Sequence, residues 1–265
     1  MATTATAPRT MSDEERAEFV ALTRDADSVE LKLTVPVAQR SRSAAALGVD
    51  PLDAQIRQVF FFDTPELTLN KAGVVVRARR VQKKGDDTVV KLRPIVPSGL
   101  PAALRKSPNF GVEVDAMPGG FVCSGSMKRA LAKPKVREIV LGDAPVRKLF
   151  SKEQRALYSA NAPDGLELDD LAILGPISVL KLRFAPKGYD RRLVAELWLY
   201  PDNSMILELS TKCAPTEAFQ VAAEARAFLT ERGVDLTGEQ ETKTRKALQY
   251  FARQLGAEAG SGQRP

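Results

Sequence analysis

A charged doublet at spacing two recurs along this chain and limits the fold more than any other feature. Side chains two apart on a β-strand share one face. Glu30 with Lys32, Arg77 with Arg79, Lys91 with Arg93, Glu113 with Asp115, and Lys181 with Arg183 all fit that spacing. Their neighbours Leu31, Val76, Leu92, Val114 and Leu182 are apolar. Arg192 and Glu196 share a face of a later strand, and Glu208, Ser210 and Lys212 share a face of the last one. Taken singly, each strand fits an ordinary sheet with one wet face. Sorting by sign is harder to explain that way, because Arg77/Arg79, Lys91/Arg93 and Lys181/Arg183 are purely basic and Glu113/Asp115 purely acidic. Solubility asks only for mixed charge. A barrel supplies another place for the charged face, namely its interior.

The remaining pattern agrees with a barrel. Strands are predicted over 28–35, 58–63, 67–70, 73–81, 88–94, 111–116, 166–174, 177–184, 191–200 and 204–212. Ser12 with Glu15 reads as a capping box that opens a first helix. Further helices are predicted over 37–47, 126–131, 146–160, 215–232 and 241–255, while 136–141 fits helix or strand. The fold class is therefore α+β: a closed antiparallel β-barrel of about eight strands, forming a tunnel, with helices packed outside. One domain is expected over 12–256, between disordered termini at 1–11 and 257–265.

Composition narrows the chemistry. The net charge is +6, which favours an anionic partner. Histidine is absent, which excludes Ser-His-Asp triads, His-ligated zinc and histidine acid–base catalysis. Cys123 and Cys213 are the only cysteines, and no secretory or membrane-spanning segment is evident, so a soluble cytoplasmic protein is expected. Aromatic residues are 6% and do not interleave with the basic ones, which argues against nucleic acid as the partner. Inward-facing Arg and Lys would pair with phosphate oxygens, and facing carboxylates could hold a hard divalent cation, Mg²⁺ or Mn²⁺. Lys83-Lys84-Gly85-Asp86-Asp87 reads as a solvated hairpin tip, and Trp198 as a packing residue. Asp63 is expected to shape a strand end or bind a tunnel arginine.

These residues resemble the CYTH family, the triphosphate tunnel metalloenzymes, named for class IV adenylyl cyclase and thiamine triphosphatase. Ser28-Val-Glu-Leu-Lys32 is similar to its opening Glu-x-Glu-x-Lys strand, and residues 60–80 to its Tyr-Phe-Asp-Thr segment leading into Arg-x-Arg. The resemblance spans 28–212 and, more weakly, 242–250. It implies an eight-stranded antiparallel tunnel that grips a small-molecule triphosphate or polyphosphate. Lys32, Arg77, Arg79, Lys91, Arg93, Lys181 and Arg183 would grip phosphate. Glu30, Glu196 and Glu208 would bind Mg²⁺ or Mn²⁺. Glu113 and Asp115 would serve a second metal or an attacking water. Ser28 and Ser210 stand where the family carries carboxylates. The implied activity is metal-dependent triphosphate hydrolysis, with ATP cyclisation to cyclic AMP or non-catalytic polyphosphate binding as alternatives.

Overall fold

The Ser12 hydroxyl accepts from the Glu15 amide and the Glu15 carboxylate returns to the Ser12 amide, so the capping box opens α1 (Asp13–Arg24) as expected. The computed structural model describes residues 11–131, 135–236, 240 and 242–261, with side chains to 256. Of the disorder expected over 1–11 and 257–265, residues 1–10 and 262–265 lie outside the described residues, while 257–261 belong to a helix that ends at Ser261. After α1 come β1 (Ser28–Val35), α2 (Arg40–Ala46), β2 (Gln55–Asp63), α3 (Thr68–Lys71), β3 (Val74–Val81) and β4 (Asp86–Leu92). Next are α4 (Ala102–Arg105), β5 (Phe110–Met117), β6 (Gly120–Leu131), α5 (Lys135–Val140) and α6 (Lys152–Ser159). The chain ends with β7 (Ala172–Phe184), β8 (Leu193–Leu199), β9 (Met205–Cys213), α7 (Ala218–Glu231) and α8 (Lys243–Ser261).

The strands close into one barrel in the order β1-β5-β6-β4-β3-β2-β7-β8-β9. Nine strands rather than about eight form the wall. Every pair is antiparallel except β1 with β5, where Glu30 lies opposite Asp115. A parallel pair needs a long crossover, and here it is the whole chain between those strands.

Several local expectations change. Residues 126–131 are strand, not helix: Ser126 and Met127 pair with both β4 and the start of β5. Their helix propensity yields to two flanking strands, and the tight packing shows at Gly125, where an added Cβ would lie 2.5 Å from the Phe110 ring. Residues 68–71 are helix, not strand, because the buried Asp63 carboxylate accepts the amides of Thr64, Leu69 and Asn70. That carboxylate shapes the end of β2. The two strands expected around Gly175-Pro176 are one strand, β7, whose register slips by a residue against β2 between Val59 and Phe61. Residues 146–160 divide into a short 3₁₀ turn and α6, and 135–140 form a helix. No helix among the described residues is long and apolar enough to cross a membrane.

Alternation gives the barrel an apolar exterior over much of its circumference. Val29, Val76, Ala78, Val90, Val112 and Val114 pack outward under α1, α5 and α6. Leu33, Leu193, Ala195 and Leu209 pack outward under α7. A third cluster lies on the inner face. Val59, Phe61, Leu174, Ile177, Trp198 and Ile206 meet Ala247, Leu248 and Phe251 of α8, which closes one end of the tunnel. Burial of this cluster leaves the polar part of the interior to the other strands.

Candidate anion-binding tunnel

Strand pairing carries each doublet to the inner face, and the charges divide between two walls. The first wall is built by β9, β1, β5 and β4. Asp115 is fully buried there, with Lys32 Nζ 2.8 Å and Arg93 Nη1 2.9 Å from its oxygens and Lys91 Nζ at 3.5 Å. Lys32 also reaches Glu30 at 3.1 Å. Glu113 pairs with Lys212 and accepts the Ser28 hydroxyl at 3.4 Å. Ser210 donates to Glu30 at 3.1 Å. Ser28 and Ser210, which stand where the resemblance implies carboxylates, thus hydrogen-bond to the carboxylates of Glu113 and Glu30.

Electrostatics on this wall follow from burial and pairing. Burial alone would raise the Asp115 carboxyl, but Lys91, Lys32 and Arg93 together hold it well below its usual range. Burial opposes the charge on Lys32 as well, yet Asp115 and Glu30 hold its ammonium above the usual lysine range. Lys91 goes the other way: burial outweighs Asp115 and pushes it down to about 8. Glu30, Glu113 and Asp115 each offer an oxygen within 4.8 Å of the others. An all-oxygen donor set of that size suits a hard divalent cation.

The second wall is built by β3, β2 and β7. Arg79 forms a two-pronged pair with Asp87, at 2.8 and 2.9 Å. Arg77 has no such partner. Its Nε is buried and unbonded among the described residues, and burial followed by repulsion from Arg79 pushes the group down to about 10. Arg183 is exposed near the end of β7 and makes no ion pair among the described residues. Arg57, which sequence reasoning missed, is 7% exposed and alternates with Val59 and Phe61 onto the inner face. Its Nε and Nη2 reach only the neutral Gln55 side chain, at 3.1 and 2.7 Å.

Between the walls, Glu196 and Glu208 lie directly opposite one another on β8 and β9. They were expected to bind metal with Glu30, but they stand outside the three-carboxylate group and hold lysines. Lys181 Nζ is 2.6 Å from Glu196, and Lys243 Nζ reaches Glu196 and, at 2.7 Å, Glu208. Trp198 Nε1 donates to Glu196 at 3.2 Å. Burial would raise Glu196, but Lys243 and Lys181 hold it well below the carboxylate range. Lys243 was not anticipated either. Two glutamates facing across a strand pair require a cation. A lysine at the N-terminal end of a helix opposes the helix dipole unless carboxylates hold it, and together those signals point to it.

Of the residues expected to grip phosphate, Lys32, Lys91 and Arg93 therefore lie on the first wall and Arg77, Arg79 and Arg183 on the second. Lys181 bridges toward Glu196. The chemistry open to this arrangement is binding of a linear, highly charged anion between a carboxylate–lysine wall and an arginine wall.

No protein-family model and no curated protein sequence matches the chain. Solved structures do. A protein from Bacillus halodurans, described as a candidate adenylate cyclase, superposes with a TM-score of 0.57 at 14% identity, over 83% of this chain and 97% of that one. An adenylyl cyclase candidate from Hippeastrum, described as having a dominant triphosphatase activity, superposes with a TM-score of 0.62 at 16% identity, over 82% of this chain and 92% of that one. The barrel accordingly shares its fold with these two proteins.

Proposed function

We propose that the tunnel binds the triphosphate group of a small molecule and hydrolyses it with Mg²⁺ or Mn²⁺. The observation that carries this reading is Arg77, whose buried Nε lacks a partner on a wall with one carboxylate pair. A buried cation without its counter-charge is unfavourable until an anion arrives. Arg77, Arg79 and Arg183 would take phosphate oxygens from one side, and Lys32, Lys91, Arg93 and Lys181 from the other. Lys32 would exchange one carboxylate for a phosphate oxygen. Glu30, Glu113 and Asp115 fit a divalent cation, which would supply charge neutralisation and polarise the terminal phosphoryl group. Glu113, whose partner Lys212 is exposed, would orient a water. Attack by that water forms one P–O bond and breaks the anhydride bond, releasing orthophosphate and a diphosphate. The triphosphatase activity described for the Hippeastrum protein supports the same reading.

The test is phosphate release from inorganic tripolyphosphate and from ATP, with Mg²⁺, with Mn²⁺ or with EDTA, while cyclic AMP is followed in parallel. Metal-dependent phosphate release that disappears in Arg77→Ala and in Glu30→Gln is expected. Cyclic AMP with pyrophosphate would replace hydrolysis by cyclisation, and binding without any product would leave an anion-binding protein.

A further inference from the structure

A cation of the protein itself stands between two carboxylates that the family resemblance assigns to metal. Glu196 and Glu208 are direct partners across β8 and β9, which brings their side chains within reach of one ion. The Lys243 ammonium pairs with Glu196 and lies 2.7 Å from Glu208. Lys181 takes the other oxygen of Glu196 at 2.6 Å. The Trp198 ring lies 5.2 Å from the Lys243 nitrogen, and its indole N–H donates to Glu196. The Tyr200 hydroxyl donates to the Lys243 carbonyl at 3.0 Å, which fixes the backbone from which the side chain extends.

Two carboxylates and two ammonium groups leave this cluster with no net charge. A divalent cation placed there would meet both ammonium groups at close range, so Glu196 and Glu208 as they stand do not fit a metal ion. Lys32 separates them from the three-carboxylate group: it is ion-paired with Glu30 and Asp115, and Glu208 attracts it as well. Burial opposes the charge on Lys243, yet Glu208 and Glu196 hold its ammonium above the usual lysine range. Lysine suits the position because its ammonium is a compact point charge with three donors. Lys243 is the first residue of α8, and Ala247, Leu248 and Phe251 of that helix pack into the inner apolar cluster. The charge is therefore carried in by the helix that closes the tunnel.

We propose that the Lys243 ammonium is a built-in cation that fills the place of a second metal ion between Glu196 and Glu208, so that the tunnel takes a single divalent cation. That cation belongs to Glu30, Glu113 and Asp115, and this part rests on the metal-dependent reading above. The positive charge between Glu196 and Glu208 is then independent of metal concentration. Chelation strips the divalent cation and leaves Lys243 in place.

The experiment is calorimetric titration of the full chain with Mn²⁺, the unbound ion being followed by electron paramagnetic resonance. The wild type should bind one Mn²⁺ per chain. Lys243→Met should bind two, and adding Glu208→Gln to that variant should return the count to one. Glu208→Gln alone keeps Lys243 paired with Glu196 and should leave the wild-type count and affinity unchanged. That variant decides the matter even if Lys243→Met does not fold. Two Mn²⁺ in the wild type, a count still at one in folded Lys243→Met, or Mn²⁺ binding lost in Glu208→Gln each overturns the role of Lys243. No Mn²⁺ in the wild type with one in Lys243→Met, lost again on Glu208→Gln, supports that role and overturns the metal reading of Glu30, Glu113 and Asp115. No Mn²⁺ in either protein overturns both.

Discussion

The two walls of the tunnel carry similar residue types and opposite electrostatic states. On the β9-β1-β5-β4 wall, Lys32, Arg93 and Lys212 each contact a carboxylate directly, and Lys91 lies 3.5 Å from Asp115. On the β3-β2-β7 wall, Arg79 has Asp87, while the buried Arg57 and the half-buried Arg77, whose Nε is buried and unbonded, make no ion pair among the described residues, and neither does the exposed Arg183. The first wall is complete within the protein. On the second, no carboxylate among the described residues forms an ion pair with Arg57, Arg77 or Arg183. A folded chain tolerates that imbalance only if other contacts outweigh it, and here the apolar inner cluster under α8 adjoins the unpaired arginines. The comparison teaches that structural and functional charges can be told apart by what already neutralises them.

Removing one charge from each wall should therefore give opposite results. Arg77→Met should lower kcat/KM by about 10²–10³, the usual scale for one charge-stabilising contact. It should also abolish the rise in melting temperature caused by tripolyphosphate in EDTA. Without ligand, the variant should melt at or above the wild-type temperature, because a buried repulsive charge has gone. Asp115→Asn attacks the paired wall. Lys32, Lys91 and Arg93 lose their shared counter-charge in a buried site, a loss of about 3–5 kcal/mol. Thermal unfolding without ligand should show a fall on the order of 10 °C. If Arg77→Met destabilises the ligand-free protein as much as Asp115→Asn does, the distinction between the walls is wrong.

Acid should expose a third, smaller term at the junction of the walls. Glu196 is held below its ordinary value of 4.5 by Lys243 and Lys181, against burial. Its folded pKa is depressed, so the stability it contributes is fully present above the unfolded carboxylate pKa. That contribution is lost as pH falls through the folded value. Denaturant titrations below about pH 4.5 should show wild-type stability falling with a slope that Glu196→Gln reduces. An unchanged slope would mean that Lys243 is held by Glu208 alone.

How much of this was legible follows from what each residue's signal depends on. The doublets in β1, β3, β4, β5 and the end of β7 declare themselves because period-two alternation is local. Arg57 was hidden because it leads into Val59-Phe60-Phe61-Phe62, where both strand faces are buried and alternation vanishes. Lys243 was hidden because it enters from α8, 35 residues past Glu208 and 47 past Glu196, and helix periodicity says nothing of a strand's inner face. The Glu196–Glu208 pairing rests on the register of β8 against β9, and only that register separates them from Glu30. Closure of β1 on β5 in parallel leaves no local trace, since it joins segments more than seventy residues apart.

The serines provide the finest test of the comparison. Ser28 and Ser210 hydrogen-bond Glu113 and Glu30, so both sit on the paired wall beside the three-carboxylate group. A carboxylate in either place would face an existing one, and the pair would ionise fully only with a cation between them. Ser210→Glu should therefore tighten Mn²⁺ binding by roughly tenfold in titration calorimetry, the effect of about 1.4 kcal/mol. The same substitution should leave tripolyphosphate binding in EDTA dependent on Arg77, because the second wall is untouched. Tighter Mn²⁺ with Arg77-dependent anion binding in EDTA would put the cation on the paired wall and show that the anion needs the second wall as well. Mn²⁺ affinity unmoved by Ser210→Glu would place the cation away from Glu30, and the acid wall would then be a scaffold for its lysines alone.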